Sequence, residues 1–252
     1  MGTTCCMRVR AQNRLAVGIL VLAVVALGMG CTIEAEPVTS IPGGAPSERV
    51  QQAIALQPAE VRPDHVWPPR VGERYPNLRL RNSRGERVEL ESLEGRVVLV
   101  EPIGMDCPAC NAFAGGNRPG MLGFQGVQPQ RDLPSIEEML DRYAGGISLS
   151  DDRIVLVHLL LYRPDRDGPP KLETAQRWAK HFGLEASSDV IVLVGEPYLI
   201  GPASYNMIPG FQLIDANFVL RFDATGHHPK HDLWRELLPA VSSLLGEMES
   251  TL

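Results

Sequence analysis

RVVLVEPIGMDCPAC, residues 96–110, carries two signals in one stretch. Arg96 to Glu101 is a continuous apolar run of strand length, as a parallel strand buried on both faces requires. After a short loop come two cysteines, Cys107 and Cys110, at the opening of a helical stretch. Thiol exchange needs a thiolate, and the unpaired amides and dipole of a helix N-terminus favour negative charge. Two intervening residues bring the second thiol back to attack any mixed disulfide formed at the first. Cys107 is therefore read as the attacking thiol and Cys110 as the resolving one. Pro108 suits a first helical turn, where no amide donor is needed.

Working outward, Leu78-Arg79-Leu80 and Val88-Glu89-Leu90 alternate apolar with polar around Asn82-Ser83-Arg84-Gly85, which predicts a hairpin. Arg153 to Tyr162 is a second unbroken apolar run, and His158 inside it reads as a satisfied core histidine. Leu172, Ala175, Trp178, Ala179 and Phe182 share one helical face. Asp189 to Val194 predicts a short strand. Phe211 to Asp215 and Phe218 to Phe222 predict a second hairpin, and the leucines between Leu233 and Leu245 a closing helix. This order, a hairpin followed by alternating strands and helices, implies α/β architecture: a central mixed sheet with helices on both faces.

The N-terminus is of another kind. Arg8, Arg10 and Arg14 precede an uncharged apolar run, Leu15 to Gly30, which reads as an export signal. Its end, Leu27-Gly28-Met29-Gly30-Cys31, resembles the lipobox of bacterial lipoproteins, which implies lipidation of Cys31. Cys5 and Cys6 would then be lost with residues 1–31, leaving Cys107 and Cys110 as the only thiols. An uncleaved membrane anchor and plain secretion are the alternatives, and all three place the body of the protein outside the cytoplasm. Residues 32–70, rich in Pro and Gly, read as a tether, with a short helix at Ser47–Leu56. The domain is expected over 71–252.

The chain has 252 residues, 44% of them hydrophobic and 21% charged, which excludes wholesale disorder. Residues 32–252 carry 21 basic and 30 acidic groups, a net of −9. Nucleic acid is excluded as a partner, because binding it needs a positive footprint.

Gly72, Pro76, Leu78, Gly85, Leu90, Leu93 and Gly95, followed by RVVLVEPIGMDCPAC, resemble the thioredoxin-like family of membrane-tethered thiol-disulfide oxidoreductases, the cytochrome c maturation type. The likeness resumes at Ile208-Pro209-Gly210-Phe211-Gln212-Leu213-Ile214-Asp215, similar to that family's cis-proline and following strand. The resemblance implies a thioredoxin-like fold with an N-terminal hairpin and a redox-active Cys107–Cys110 disulfide. It implies that Pro209 is a cis-proline beside the cysteines and that the backbone of Ile208 pairs with an extended substrate segment. It also implies that Glu101, six residues before Cys107, is a buried acid relaying the proton of Cys110; burial would raise its pKa. No bound cofactor is expected. The implied partners are dithiols and disulfides of exported proteins, with electrons from a membrane thiol reductase, at the envelope of a bacterial cell.

Three departures from that pattern stand out. Asp106 replaces the usual aromatic residue before the first cysteine, and its carboxylate would oppose thiolate formation at Cys107 unless it points away. Residues 115–133 interrupt the cysteine helix as an insertion, with helix resuming near Pro134 to Tyr143. Gly195 to Met207 is longer and more hydrophobic than a connector requires. The rival readings are a copper-delivery or metal-binding protein of the same fold, a peroxidase, and a non-catalytic interaction module. His227, His228 and His231 prompt the metal reading, but they are expected in a solvated turn away from Cys107. The peroxidase pattern wants Thr or Ser where Gly104 stands.

Overall fold

The structure, a computed structural model, describes residues 67–250. The export signal, Cys31, the tether as far as residue 66 and the Ser47–Leu56 helix lie outside them. Among the described residues no helix is long and apolar enough to cross a membrane.

The elements run β1 (Arg79–Asn82), β2 (Arg87–Glu89), β3 (Val97–Gly104), α1 (Pro108–Phe113), α2 (Ile136–Tyr143), β4 (Ile154–Tyr162) and α3 (Leu172–His181). They continue with β5 (Val190–Val194), a single turn α4 (Pro202–Tyr205), β6 (Gly210–Ile214), β7 (Leu220–Thr225) and α5 (Leu238–Glu249). Seven strands form one mixed sheet in the order β2-β1-β5-β4-β3-β6-β7. β3 and β4 are parallel and buried at every position, which is why both read as unbroken apolar runs rather than alternating ones. The cysteine strand lies between β4 and the antiparallel β6, and this arrangement, with helices on both faces, is the thioredoxin-like fold.

One core fills each face. On one side Val98, Val100, Val155 and Val157 pack under α3 through Ala175, Trp178 and Ala179. On the other Val97, Leu99, Leu156 and Leu213 pack under α2 and α5 through Leu140, Leu238, Val241 and Leu245. α2 begins with a capping box in which Ser135 and Glu138 satisfy each other's backbone amides.

Several predicted boundaries move. β3 runs past Glu101 to Gly104, through Pro102. Its ladder with β6 stops at Val100↔Gln212, so the proline occupies a stretch with no pairing on that side. The second hairpin's return strand starts at Leu220, not Phe218. Asp215 accepts the amides of Asn217 and Val219 at 3.0 Å each, and this turn puts Phe218 at φ 61° with its ring buried edge-on to Tyr75.

Candidate active site

β3 and β4 deliver everything to one end of the sheet. Cys107 caps α1 with extended backbone, and its Sγ accepts the Cys110 amide at 3.4 Å. The helix has only six residues and stops at Ala114, as the glycine run after it predicts. Both cysteines are free thiols. Their surroundings differ sharply: Cys107 is half-buried while Cys110 is wholly buried.

That asymmetry sets their acidity. The hydrogen bond from the Cys110 thiol, opposed by burial and helped by the amides of Cys110 and Ala109, brings Cys107 down to about 7. Burial first, then the shared hydrogen bond and the neighbouring negative groups, push the Cys110 thiol well above its usual range. The first thiol ionises near neutrality; the second keeps its proton.

Glu101 is completely buried beside the pair. Burial, then the charge on Cys107, raise its carboxyl well above 4.5, while the Cys110 thiol draws it back. It faces His158 across the β3–β4 ladder, Oε2 to Nδ1 3.7 Å. That is an ion-pair distance, but neither side chain has a conventional hydrogen-bond partner and both are fully buried. Two charges so placed would lose their hydration with nothing else to solvate them, so burial favours the neutral form of both groups. Burial alone brings the His158 pKa to about 3. His158 is thus in the core as predicted but not satisfied: both ring nitrogens lack partners. The imidazole also lines a cavity of about 410 Å³ between α1, α2 and the segment before β5, walled by Phe113, Leu156 and Phe182.

The Ile208–Pro209 peptide is cis, as the resemblance implies. The carbonyl of Pro209 accepts the Gly226 amide at 2.7 Å, and the Ile208 side chain lies over Gly104, within reach of Asp106. Ile208 differs from expectation in one respect. Its amide already donates to the Tyr205 carbonyl at 3.2 Å and is not open to a further backbone partner.

The departures acquire structural roles. Asp106 ion-pairs with Arg166, whose Nη1 also donates to the Tyr205 hydroxyl at 2.5 Å. The carboxylate still raises the Cys107 pKa, as the least of the influences on it. The 115–133 insertion is stapled to the cysteine helix by buried Asn111. Its Nδ2 donates to the carbonyls of Met105 and Cys107, and its Oδ1 accepts the Phe124 amide at 2.7 Å. The Gln130 amide returns to the Pro108 carbonyl at 2.9 Å. The long 195–207 segment leads into the cis-proline turn, where the Ile208 amide donates to the Tyr205 carbonyl. Within the segment Leu199 is buried and, with Ser204, receives the indole N–H of Trp67.

The histidine-rich turn needs a correction. β7 is antiparallel to β6, so it ends at Thr225 opposite Gly210, at the cysteine end of the sheet and not away from it. His227 and His228 are exposed just beyond. His231 turns back, its Nδ1 accepting the Asp223 amide at 3.0 Å and its ring meeting Phe222. Among the described residues no three His, Cys, Asp or Glu side chains gather as a metal site would require.

Sequence reasoning missed Arg166, Tyr205 and Asn111. Asn111 directly follows the second cysteine and so had a positional signal; the other two had none.

No protein-family model and no curated protein matches the sequence. Solved structures resemble it in chain path. The thioredoxin domain of a thiol-disulfide oxidoreductase from Bacteroides vulgatus is 14% identical, with a TM-score of 0.41, over 69% of this chain and 99% of its own. An uncharacterized conserved protein from Geobacillus kaustophilus is 14% identical, with a TM-score of 0.45, over 71% and 83%. Copper-bound ScoI from Arabidopsis thaliana is 14% identical, with a TM-score of 0.38, over 69% and 97%.

Proposed function

We propose that this chain is a thiol-disulfide oxidoreductase of the bacterial envelope, lipid-anchored through Cys31 and exchanging disulfides with exported proteins. One observation carries the reading. Of two thiols three residues apart, one is half-exposed and ionises near pH 7, and the other is buried, protonated and next to a buried acid. This is the division of labour that two-step exchange needs.

In the reductive direction the Cys107 thiolate attacks a partner disulfide, forming a mixed disulfide and releasing one partner thiolate. Cys110 then gives its proton to a Glu101 carboxylate and attacks the Cys107 Sγ. The second partner thiolate leaves, and the chain is left as the Cys107–Cys110 disulfide, two electrons poorer. Glu101 starts this step ionised, a form that its raised pKa makes basic enough to accept the proton. The cis peptide at Pro209 and the carbonyl of Ile208 present an edge for an extended partner segment. A second dithiol, of a membrane reductase, restores the reduced pair, and the cycle uses no bound cofactor.

The test is equilibration of the chain in glutathione buffers of graded potential, followed by alkylation and mass measurement. A reversible two-electron transition confined to Cys107 and Cys110 supports the proposal. Absence of a disulfide at every potential refutes it.

A further inference from the structure

Asp106 and Arg166 are the residues around the cysteines that the exchange steps leave unused. Asp106 immediately precedes the attacking thiol, where a carboxylate is unfavourable to a thiolate. Its side chain is only 20% exposed and folds back over Gly104, with Oδ1 3.3 Å from where a Cβ there would lie. Arg166 reaches it from a chain segment 60 residues away.

That segment is constructed for the purpose. β4 ends at Tyr162, and the next residues close on themselves through the Arg163 amide to the Gly168 carbonyl at 3.0 Å. Arg163 is held by both Asp165 and Asp167. Arg166 sits at the tip with φ 61°, a conformation that non-glycine residues adopt at a cost. From there Nε donates to Asp106 and Nη1 to the Tyr205 hydroxyl, while the guanidinium carbon lies 5.6 Å from the Tyr205 ring centre. Tyr205 is in turn fixed edge-on against Tyr162 at 5.6 Å, and Tyr162 is anchored at Gly201. One guanidinium thereby joins the loop of the attacking cysteine to the turn that leads into the cis-proline.

We propose that Arg166 is a positioning residue for Cys107: it neutralises the Asp106 carboxylate, screens the attacking sulfur from it, and fixes the cysteine loop against the Tyr205–Pro209 docking segment. The inference rests on the exchange reading above. The ionisable groups facing Cys107 are Asp106 from its own loop, Cys110 from α1, Glu101 from β3, and, through Asp106, Arg166 and Tyr205. The Asp106 side chain adjoins the attacking cysteine directly, and among the described residues Arg166 is the cation that pairs with it.

The experiment compares four full-length proteins, R166Q, R166K, D106N and R166Q/D106N, with the parent. For each, the rate of Cys107 alkylation is measured against pH and the disulfide midpoint is taken in glutathione buffers. R166Q should lower the thiolate fraction at pH 7 by about three- to fivefold, an exposed pair being worth less than a buried one. R166K should recover part of the loss. R166Q/D106N should return to within about twofold of the parent, because removing the carboxylate removes the need for the cation. D106N alone should change the fraction by less than about twofold, and this holds the test open even where R166Q folds poorly. An R166Q profile superimposed on the parent refutes screening. A double variant as impaired as R166Q shows a structural defect instead and equally refutes it, as does a large gain in D106N. A parent chain with no two-electron transition would sink the exchange reading itself, and is thereby told apart from failure of this inference.

Discussion

Glu101 and His158 make a prediction about stability that needs no substrate. Both are fully buried and face each other at 3.7 Å, and burial moves their pKa values in opposite senses. Glu101 is raised well above 4.5, so the folded chain holds a proton there that the unfolded chain releases as pH climbs past 4.5. The stability due to that group is fully present below 4.5 and is lost as pH rises from there toward the folded value. His158 falls from 6.5 to about 3, so below 6.5 the unfolded chain binds a proton that the folded chain refuses. Its stability is present above 6.5 and is lost as pH falls. Each slope is about 1.4 kcal/mol per pH unit. Between pH 4.5 and 6.5 they oppose, and the pair contributes a nearly flat profile.

Single substitutions should uncover the slopes. Glu101→Gln, which preserves shape, leaves the histidine alone, and stability relative to the parent should rise by about 2 to 3 kcal/mol from pH 4.5 to 6.5. His158→Gln should fall by a similar amount over the same interval. The assay is denaturant unfolding of the reduced chain at half-unit steps of pH, with the difference from the parent plotted rather than the absolute value. Because each substitution also adds a pH-independent packing change, the slope is the readout and the offset is not. The reasoning fails if the pair is in truth ionised. Each variant would then strand a buried charge and lose about 3 to 5 kcal/mol across the window, with no opposed slopes.

Three further outcomes are expected. In exchange with a model disulfide, Glu101→Gln should leave the attack by Cys107 unchanged and slow resolution of the mixed disulfide by about 10²- to 10³-fold, read by rapid quench; Cys110→Ser should trap the adduct and Cys107→Ser should form none. Gly226→Ala should destabilise by about 3 kcal/mol, measured as a denaturant midpoint, because the new Cβ at φ +78° would lie 2.1 Å from the Asn206 carbonyl oxygen, and an unchanged midpoint would show that the turn yields. Asn111→Ala removes three hydrogen bonds of a buried side chain, two of them wholly buried, which should cost about 2 to 4 kcal/mol and expose residues 115–133 to protease at lower denaturant than the parent.

The part of this fold that was legible in the sequence is the part decided by local pattern. β3 and β4 declare themselves because a strand buried on both faces must be apolar throughout. The cysteine helix could be placed because its proline and its thiols belong at a first turn. Reading stopped early at Glu101 for the same reason: a charged residue followed by proline looks like a strand end. The strand in fact continues to Gly104 because β4 keeps pairing with it there, a fact about a strand far later in the chain. The turn at Asp215 was misjudged because Phe218 looks like a strand residue and is a buried turn residue instead.

The misplacement of His227 and the invisibility of Arg166 have one cause. Both depend on which end of the sheet a strand reaches, and that is settled by the strand order and the direction of every pairing between it and β3, which the local pattern of one strand does not contain. β4 runs parallel to β3, so the loop after it emerges beside the cysteines and can send Arg166 to Asp106. β7 is two antiparallel steps from β3 and so returns to the same end. Once the topology is known, an aspartate before the reactive cysteine ceases to be an anomaly and becomes one half of a pair. An acid in that position disfavours the neighbouring thiolate, and here the loop after β4 brings a cation to it.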